Sequence, residues 1–145
     1  EIEAGHWEEL AGSNLRAPLF LAQEAAPHLA KVQGAIVNIT DIHAGRPLKG
    51  YVVYSIAKAG LAALTRSLAL ELAPAVRVNA VAPGTIAWPE DGQFEPAERE
   101  RIIATTPLAR TGTPEDIAQA VLYLCTAPFV TGHVLDVDGG RAVVA

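Results

Sequence analysis

The sequence predicts an α/β fold in which helices flank a parallel sheet. Short apolar, β-branched runs alternate with longer segments whose apolar residues recur at helical spacing. Gly or Pro stands at most of the boundaries between them. Strands and helices that alternate in this way favour parallel pairing through right-handed helical crossovers. Only three such strands can be traced, fewer than a comfortable sheet needs. The expectation is therefore one part of a larger sheet.

The first element is a helix from about Ala4 to Lys31, where Trp7, Leu10, Leu15, Leu19, Ala22, Ala26 and Leu29 form a loose stripe. Gly34 ends it, and Ala35-Ile36-Val37-Asn38-Ile39-Thr40 reads as a strand buried on both faces. Asp41 to Gly50, with Gly45, Pro47 and Gly50, is a loop. A second helix runs from about Tyr51 to Ala73, with Tyr54, Lys58, Leu61, Thr65, Leu68 and Leu72 on one stripe and Pro74 closing it. Val76 to Val81 is the second strand, cut off by Pro83-Gly84. Residues 85–106 carry Pro89, Gly92, Pro96 and many charges, which predicts a mobile surface segment with a short helix near Ala97 to Ala104. Thr113-Pro114-Glu115-Asp116 is a helix start: a capping Thr, Pro in the first turn, and two acids at the positive dipole end. Ile117, Val121 and Leu124 give that helix its apolar face, beside which Cys125 reads as a small buried hydrophobe. Val134 to Val137 is the last strand, before Asp138-Gly139-Gly140.

With 145 residues the chain can form one core, and half of it is hydrophobic. A net charge of -5 offers no basic footprint for nucleic acid and would be repelled by an anionic membrane surface. One cysteine cannot form an intramolecular disulfide and fits a reducing compartment. No apolar run is long enough to span a bilayer, and Glu1-Ile2-Glu3 does not resemble a signal peptide, so a cytoplasmic protein is expected. The chain contains no methionine and enters a helical pattern almost at once. Residues 1–145 are therefore expected to be the carboxyl-terminal part of a single longer domain, without its amino-terminal half.

Tyr54 and Lys58 stand four apart and share one helical face. A phenol titrates near ~10 in isolation, and a nearby ammonium lowers that value, making the hydroxyl a readier proton donor or acceptor. On an exposed helix the same spacing is an ordinary amphipathic pair. Here it follows a strand ending in Thr40-Asp41, the place where open α/β sheets put their ligands. Asn14 adds a second signal. The amide that would bond its carbonyl belongs to Pro18, which has no N–H, so the carbonyl is free to hold a water. A simple kink at Pro18 is the plainer reading. Trp88 could stack on a flat substrate or merely anchor its loop. His43 could approach Asp41, although a loop histidine is more often solvated. His6, His28 and His133 have no ligand-like spacing, and no metal site is expected.

Taken together, Asn14, Ile36 to Asp41, Tyr54-Ser55-Ile56-Ala57-Lys58-Ala59, Arg77-Val78-Asn79-Ala80-Val81-Ala82-Pro83-Gly84 and Thr131 to Gly140 resemble the second half of a short-chain dehydrogenase/reductase. The resemblance covers nearly the whole chain. It implies a Rossmann-like doubly wound parallel sheet, of which this chain supplies three strands and their helices. It further implies Tyr54 as general acid, Lys58 holding the nicotinamide ribose and lowering the tyrosine pKa, and Asn14 positioning a relay water. Pro83, Gly84 and the Ile86 backbone would lie against the carboxamide, and the first two helices would form a subunit interface in a homotetramer. The glycine-rich phosphate loop of the family is not found in this sequence, and without it the chain by itself is expected to bind a dinucleotide poorly.

One departure bears on substrate. Most of the family has serine thirteen residues before the tyrosine, and here Asp41 occupies that position. With Asn38-Ile39-Thr40-Asp41 ahead of Arg46-Pro47-Leu48-Lys49-Gly50, the pattern is similar to the pteridine reductases, which implies NADPH as cofactor and a pterin as substrate. An ionised carboxylate cannot donate a hydrogen bond and would repel a carbonyl oxygen gaining charge. It can accept from the N–H groups of a pterin ring, and it would raise the Tyr54 pKa against Lys58, coupling the two titrations. The alternatives are a generic carbonyl or 3-oxoacyl reductase whose serine has been replaced, and a non-catalytic fragment that only packs or oligomerises.

Overall fold

Three strands pair in parallel in the order β1-β2-β3: β1 is Ala35–Ile39, β2 is Arg77–Pro83 and β3 is Val134–Val137. The computed structural model describes residues 2–88 and 94–144; Pro89 and Gly92 of the expected surface segment lie outside them. Register runs from Ala35↔Arg77 to Ile39↔Val81 on one side of β2, and from Ala80↔Val134 to Pro83↔Val137 on the other. The central strand is the core, with Val78, Ala80, Val81 and Ala82 essentially sealed from solvent. The α/β expectation holds. The expectation that β1 is buried on both faces does not: its residues are half-buried and Ile39 is 44% exposed. Among the described residues β1 pairs with β2 alone and is an edge strand.

The helices are α1 (Ala4–Ala11), α2 (Ala17–Ala30), α3 (Val52–Leu72), α4 (Pro96–Thr105), α5 (Pro114–Thr126) and a terminal turn, α6 (Arg141–Val144), which the sequence reading missed. The single helix expected from Ala4 to Lys31 is broken by a π-helical stretch, Gly12–Arg16. Pro18 has no amide to give, and the ladder accommodates it by slipping: the Ala17 N–H reaches the carbonyl of Gly12, five residues back. The apolar stripe of this region is also less buried than expected. Ala22 is the one fully buried side chain described in α1 and α2, while Trp7 and Leu19 remain exposed. At the other end of the chain, Thr113 caps α5 as its sequence indicates, in a reciprocal box with Asp116. Leu124 is fully buried beneath α5, but Cys125 is exposed rather than buried. Its neighbour Leu124 takes the inward position, which turns Cys125 outward.

Buried polar side chains lock the helices to the sheet. Asn38 on β1 donates to the Thr65 hydroxyl on α3 at 2.9 Å, and that hydroxyl donates on to the Leu61 carbonyl. Thr40 sends both its amide and its hydroxyl to the Val81 carbonyl, clamping the end of β1 to β2. Asn79, fully buried on β2, donates to the Val130 carbonyl at 2.8 Å and accepts from the His133 amide at 3.0 Å, which sets the entry into β3. Gly60 lets α3 approach the π-helical stretch: a side chain there would meet Leu15 at 2.8 Å. No helix among the described residues is long and apolar enough to cross a membrane.

Removing the Asn79 amide leaves two part-buried main-chain groups, the Val130 carbonyl and the His133 N–H, without their partner, at a cost in stability. Asn79→Ala should lower unfolding stability by roughly 2–4 kcal/mol, read as a fall in the denaturant midpoint. A loss below roughly 0.5 kcal/mol, the range of surface substitutions, would show that these bonds do not hold β2 to β3.

Candidate active site

The end of β1 and the start of α3 converge on one carboxylate. Beyond Ile39 the chain stays extended through Asp41, whose side chain caps a short 3-10 turn, Ile42–Ala44, by accepting from the His43 amide at 2.8 Å. The other carboxylate oxygen accepts from the Tyr54 hydroxyl, also at 2.8 Å. Tyr54 lies in the first turn of α3, and the loop before that turn is tied down by the Leu48 amide donating to the buried Ser55 hydroxyl. Each carboxylate oxygen therefore accepts one bond and keeps a further lone pair, and Asp41 is held against the phenol.

Lys58 lies one turn further along α3. Its ammonium donates to the Ile39 carbonyl at 3.0 Å and sits 5.7 Å from the centre of the Tyr54 ring. Of the two opposing influences expected on the Tyr54 pKa, the raising one of Asp41 is seen and the lowering one of Lys58 does not set the outcome. Burial holds the phenol well above the usual tyrosine range, and the hydrogen bond and charge of Asp41 push it further the same way. The ammonium lies beside the ring while the carboxylate touches the hydroxyl, so the carboxylate prevails. Burial also lowers the Lys58 pKa, with Asp41 partly opposing it.

A cavity of about 620 Å³ opens beside this cluster, within the range of small-molecule sites. Asp41, His43 and Tyr54 line it together with Gly84, Ile86 and Trp88. Pro83 ends β2, and the Gly84 amide continues the sheet by donating to the Val137 carbonyl at 3.0 Å. Gly84 is required there, since a Cβ would lie 2.7 Å from the Asp138 backbone. Trp88 lines the cavity and is anchored there by its neighbours. Its ring packs on Phe94 at 5.5 Å, and the Arg99 guanidinium covers it at 5.4 Å while donating to the Phe94 carbonyl.

Asn14, expected to act through its main-chain carbonyl, lies in the π-helical stretch that packs against α3. Its side-chain amide turns back to the Leu10 carbonyl and the Ser13 hydroxyl, and its side chain makes no hydrogen bond to Tyr54 or Lys58. Its neighbour Leu15 is seated on Gly60. Tyr51 and Phe94, which sequence reasoning did not single out, also line the cavity, as does His43, which it left as a solvated loop residue. Only His43 carried a usable signal, its place two residues after Asp41.

Comparison with known proteins identifies the family. A family model described as enoyl-(acyl carrier protein) reductase matches residues 1–142. Pteridine reductase 1 of Leishmania tarentolae is 41% identical, over 93% of this chain and 50% of its own length. A protein named as ketoacyl reductase 2 of the granaticin polyketide synthase, from Streptomyces violaceoruber, is 44% identical over 92% of this chain and 55% of its own. The crystal structure of acetoin dehydrogenase from Enterobacter cloacae superposes with a TM-score of 0.86 at 35% identity, covering 100% of this chain and 59% of that one. The chain thus spans about half the length of the curated relatives it matches. With three parallel strands, flanking helices and a family match along almost its entire length, the chain belongs to the short-chain dehydrogenase/reductase family of oxidoreductases.

Proposed function

We propose that the protein carrying this chain is an NADPH-dependent reductase of oxidised pterins, of the dihydrobiopterin, dihydromonapterin or dihydrofolate type. The observation that carries the reading is the 2.8 Å hydrogen bond from Tyr54 to Asp41, where most of the family has a serine donor. A carboxylate at that point disfavours a carbonyl gaining negative charge and favours a ring that presents N–H groups.

The residues present suit a nicotinamide cofactor. The Lys58 ammonium has three donors and spends one on Ile39, which leaves two for ribose hydroxyls. Pro83, Gly84 and Ile86 would form the edge beside the carboxamide. The bound cofactor would supply the hydride to a ring carbon. Tyr54 would then give its proton to the adjacent ring nitrogen, and Lys58 would stabilise the phenolate left behind. Asn14 would hold the water that returns the proton, through its main-chain carbonyl. Asp41 keeps the phenol protonated until that transfer and accepts from the ring N–H. Trp88, held by Phe94 and Arg99, would cover the flat ring. We further propose a cytoplasmic homotetramer; α2 and α3 leave Phe20, Leu21 and Ile56 exposed, as subunit contacts would require.

The second reading, a carbonyl or 3-oxoacyl reductase, is favoured by the 44% identity to the named ketoacyl reductase. The full-length protein distinguishes the two. The pterin reading expects reduction of dihydrobiopterin, dihydromonapterin or dihydrofolate with NADPH, and turnover of β-ketoacyl thioesters without any pterin activity would reject it. Asp41→Ser should lower pterin turnover by about tenfold or more, the scale of one lost site hydrogen bond. An Asp41→Ser protein that gains ketone reduction and keeps its pterin rate would defeat the role given to the carboxylate. Tyr54→Phe, which removes the proton donor, should cost roughly 10²–10⁴-fold in kcat with little change in the fold.

A further inference from the structure

We infer that His43 is a substrate-binding residue, its Nε2 accepting a hydrogen bond from a ring N–H of the substrate. The inference rests on the pterin reading above and narrows it to a particular ring edge. The His43 Nδ1 lies 2.9 Å from the Arg46 carbonyl, which can only accept. Nδ1 must therefore carry a proton, and in the neutral ring Nε2 is left as a bare acceptor. Among the described residues none bonds Nε2, and His43 is one of the residues lining the cavity with Asp41 and Tyr54.

The main chain adds the second constraint. The His43 amide donates to Asp41 at 2.8 Å, so the two side chains spring from one 3-10 turn at a fixed separation. The cavity wall thus offers two acceptors, a carboxylate and an imidazole nitrogen, within three residues. Their complement is a planar heterocycle whose edge carries two N–H groups, as a 2-amino-4-oxopyrimidine ring does. A simple ketone would leave Nε2 dehydrated and unmatched, a cost that discriminates against it.

Two substitutions separate this role from loop support. In His43→Asn the amide nitrogen can still donate to the Arg46 carbonyl, but nothing reaches the Nε2 position. In His43→Gln the side-chain carbonyl reaches the Nε2 position, and the Arg46 contact is lost. The probe is 2-amino-4-pyrimidinone, bound to the full-length protein with NADP+ present and followed by calorimetry. We expect His43→Gln to bind close to the native protein and His43→Asn to bind about tenfold more weakly. The same order should appear in kcat/KM for dihydrobiopterin. The reverse order, with Asn native-like and Gln impaired, would reduce His43 to a support for its loop. Absence of probe binding by the native protein would also overturn the assignment. Should the probe follow the expected order while no pterin is reduced, the proposed reaction falls and the His43 contact stands. Should pterins be reduced equally well by native and Asn proteins, the contact falls and the reaction stands.

Discussion

The hydrogen bond between Tyr54 and Asp41 joins the two elements on which everything else in this molecule is arranged. It fastens the first turn of α3 to the end of β1, and both ends of the bond are themselves held. Asp41 caps the turn that follows it, and Thr40 clamps the preceding strand to β2. The Asn38–Thr65 bond ties the middle of α3 to the same strand, so the helix can neither slide nor roll away from the carboxylate. Because Lys58 projects from the same face of α3, its reach to the Ile39 carbonyl follows from the same anchoring. A phenol, an ammonium and a carboxylate are thus held together by three separate attachments between one helix and one strand.

The electrostatic consequence differs from simple activation of a tyrosine. Burial and the carboxylate both favour the neutral phenol, and the ammonium beside the ring does not offset them. A neutral phenol is the form a proton donor needs, and Asp41 directs and retains that proton. On the proposed pterin reading, that retained proton is the one Tyr54 would pass to a ring nitrogen. In the ordinary direction of the family's chemistry a serine would donate toward a carbonyl; here the corresponding group accepts, which changes the polarity of the substrate edge that the cavity can satisfy.

Much of this was legible in the sequence because the relevant spacings are short. Four residues on a helix place Tyr54 and Lys58 on one face, and the strand ending at Thr40-Asp41 places the carboxylate near them. Pro18 announced a disturbed helix, and the close packing of Leu15 against Gly60 beside it is a contact that no local pattern reveals. Contacts between distant residues were illegible for the same reason. Asn38 and Thr65 are 27 positions apart, and the Trp88–Phe94–Arg99 group joins a loop to a helix across a segment with no periodicity. That Asp41 raises the Tyr54 pKa was legible, whereas the burial that is the largest cause of the shift was not, because spacing does not show it.

The central claim is that Asp41 and burial together hold the proton on Tyr54. It is tested most directly by alkaline near-ultraviolet difference titration of the native protein, with Tyr54→Phe subtracted so that Tyr54 alone is read. The account predicts that Tyr54 stays protonated beyond the ~10 at which a free tyrosine ionises. In Asp41→Asn the midpoint should fall, since a raising influence is removed, yet remain above the free value because burial is the larger cause. A native midpoint at or below that of free tyrosine, or one that Asp41→Asn leaves unmoved, would contradict it.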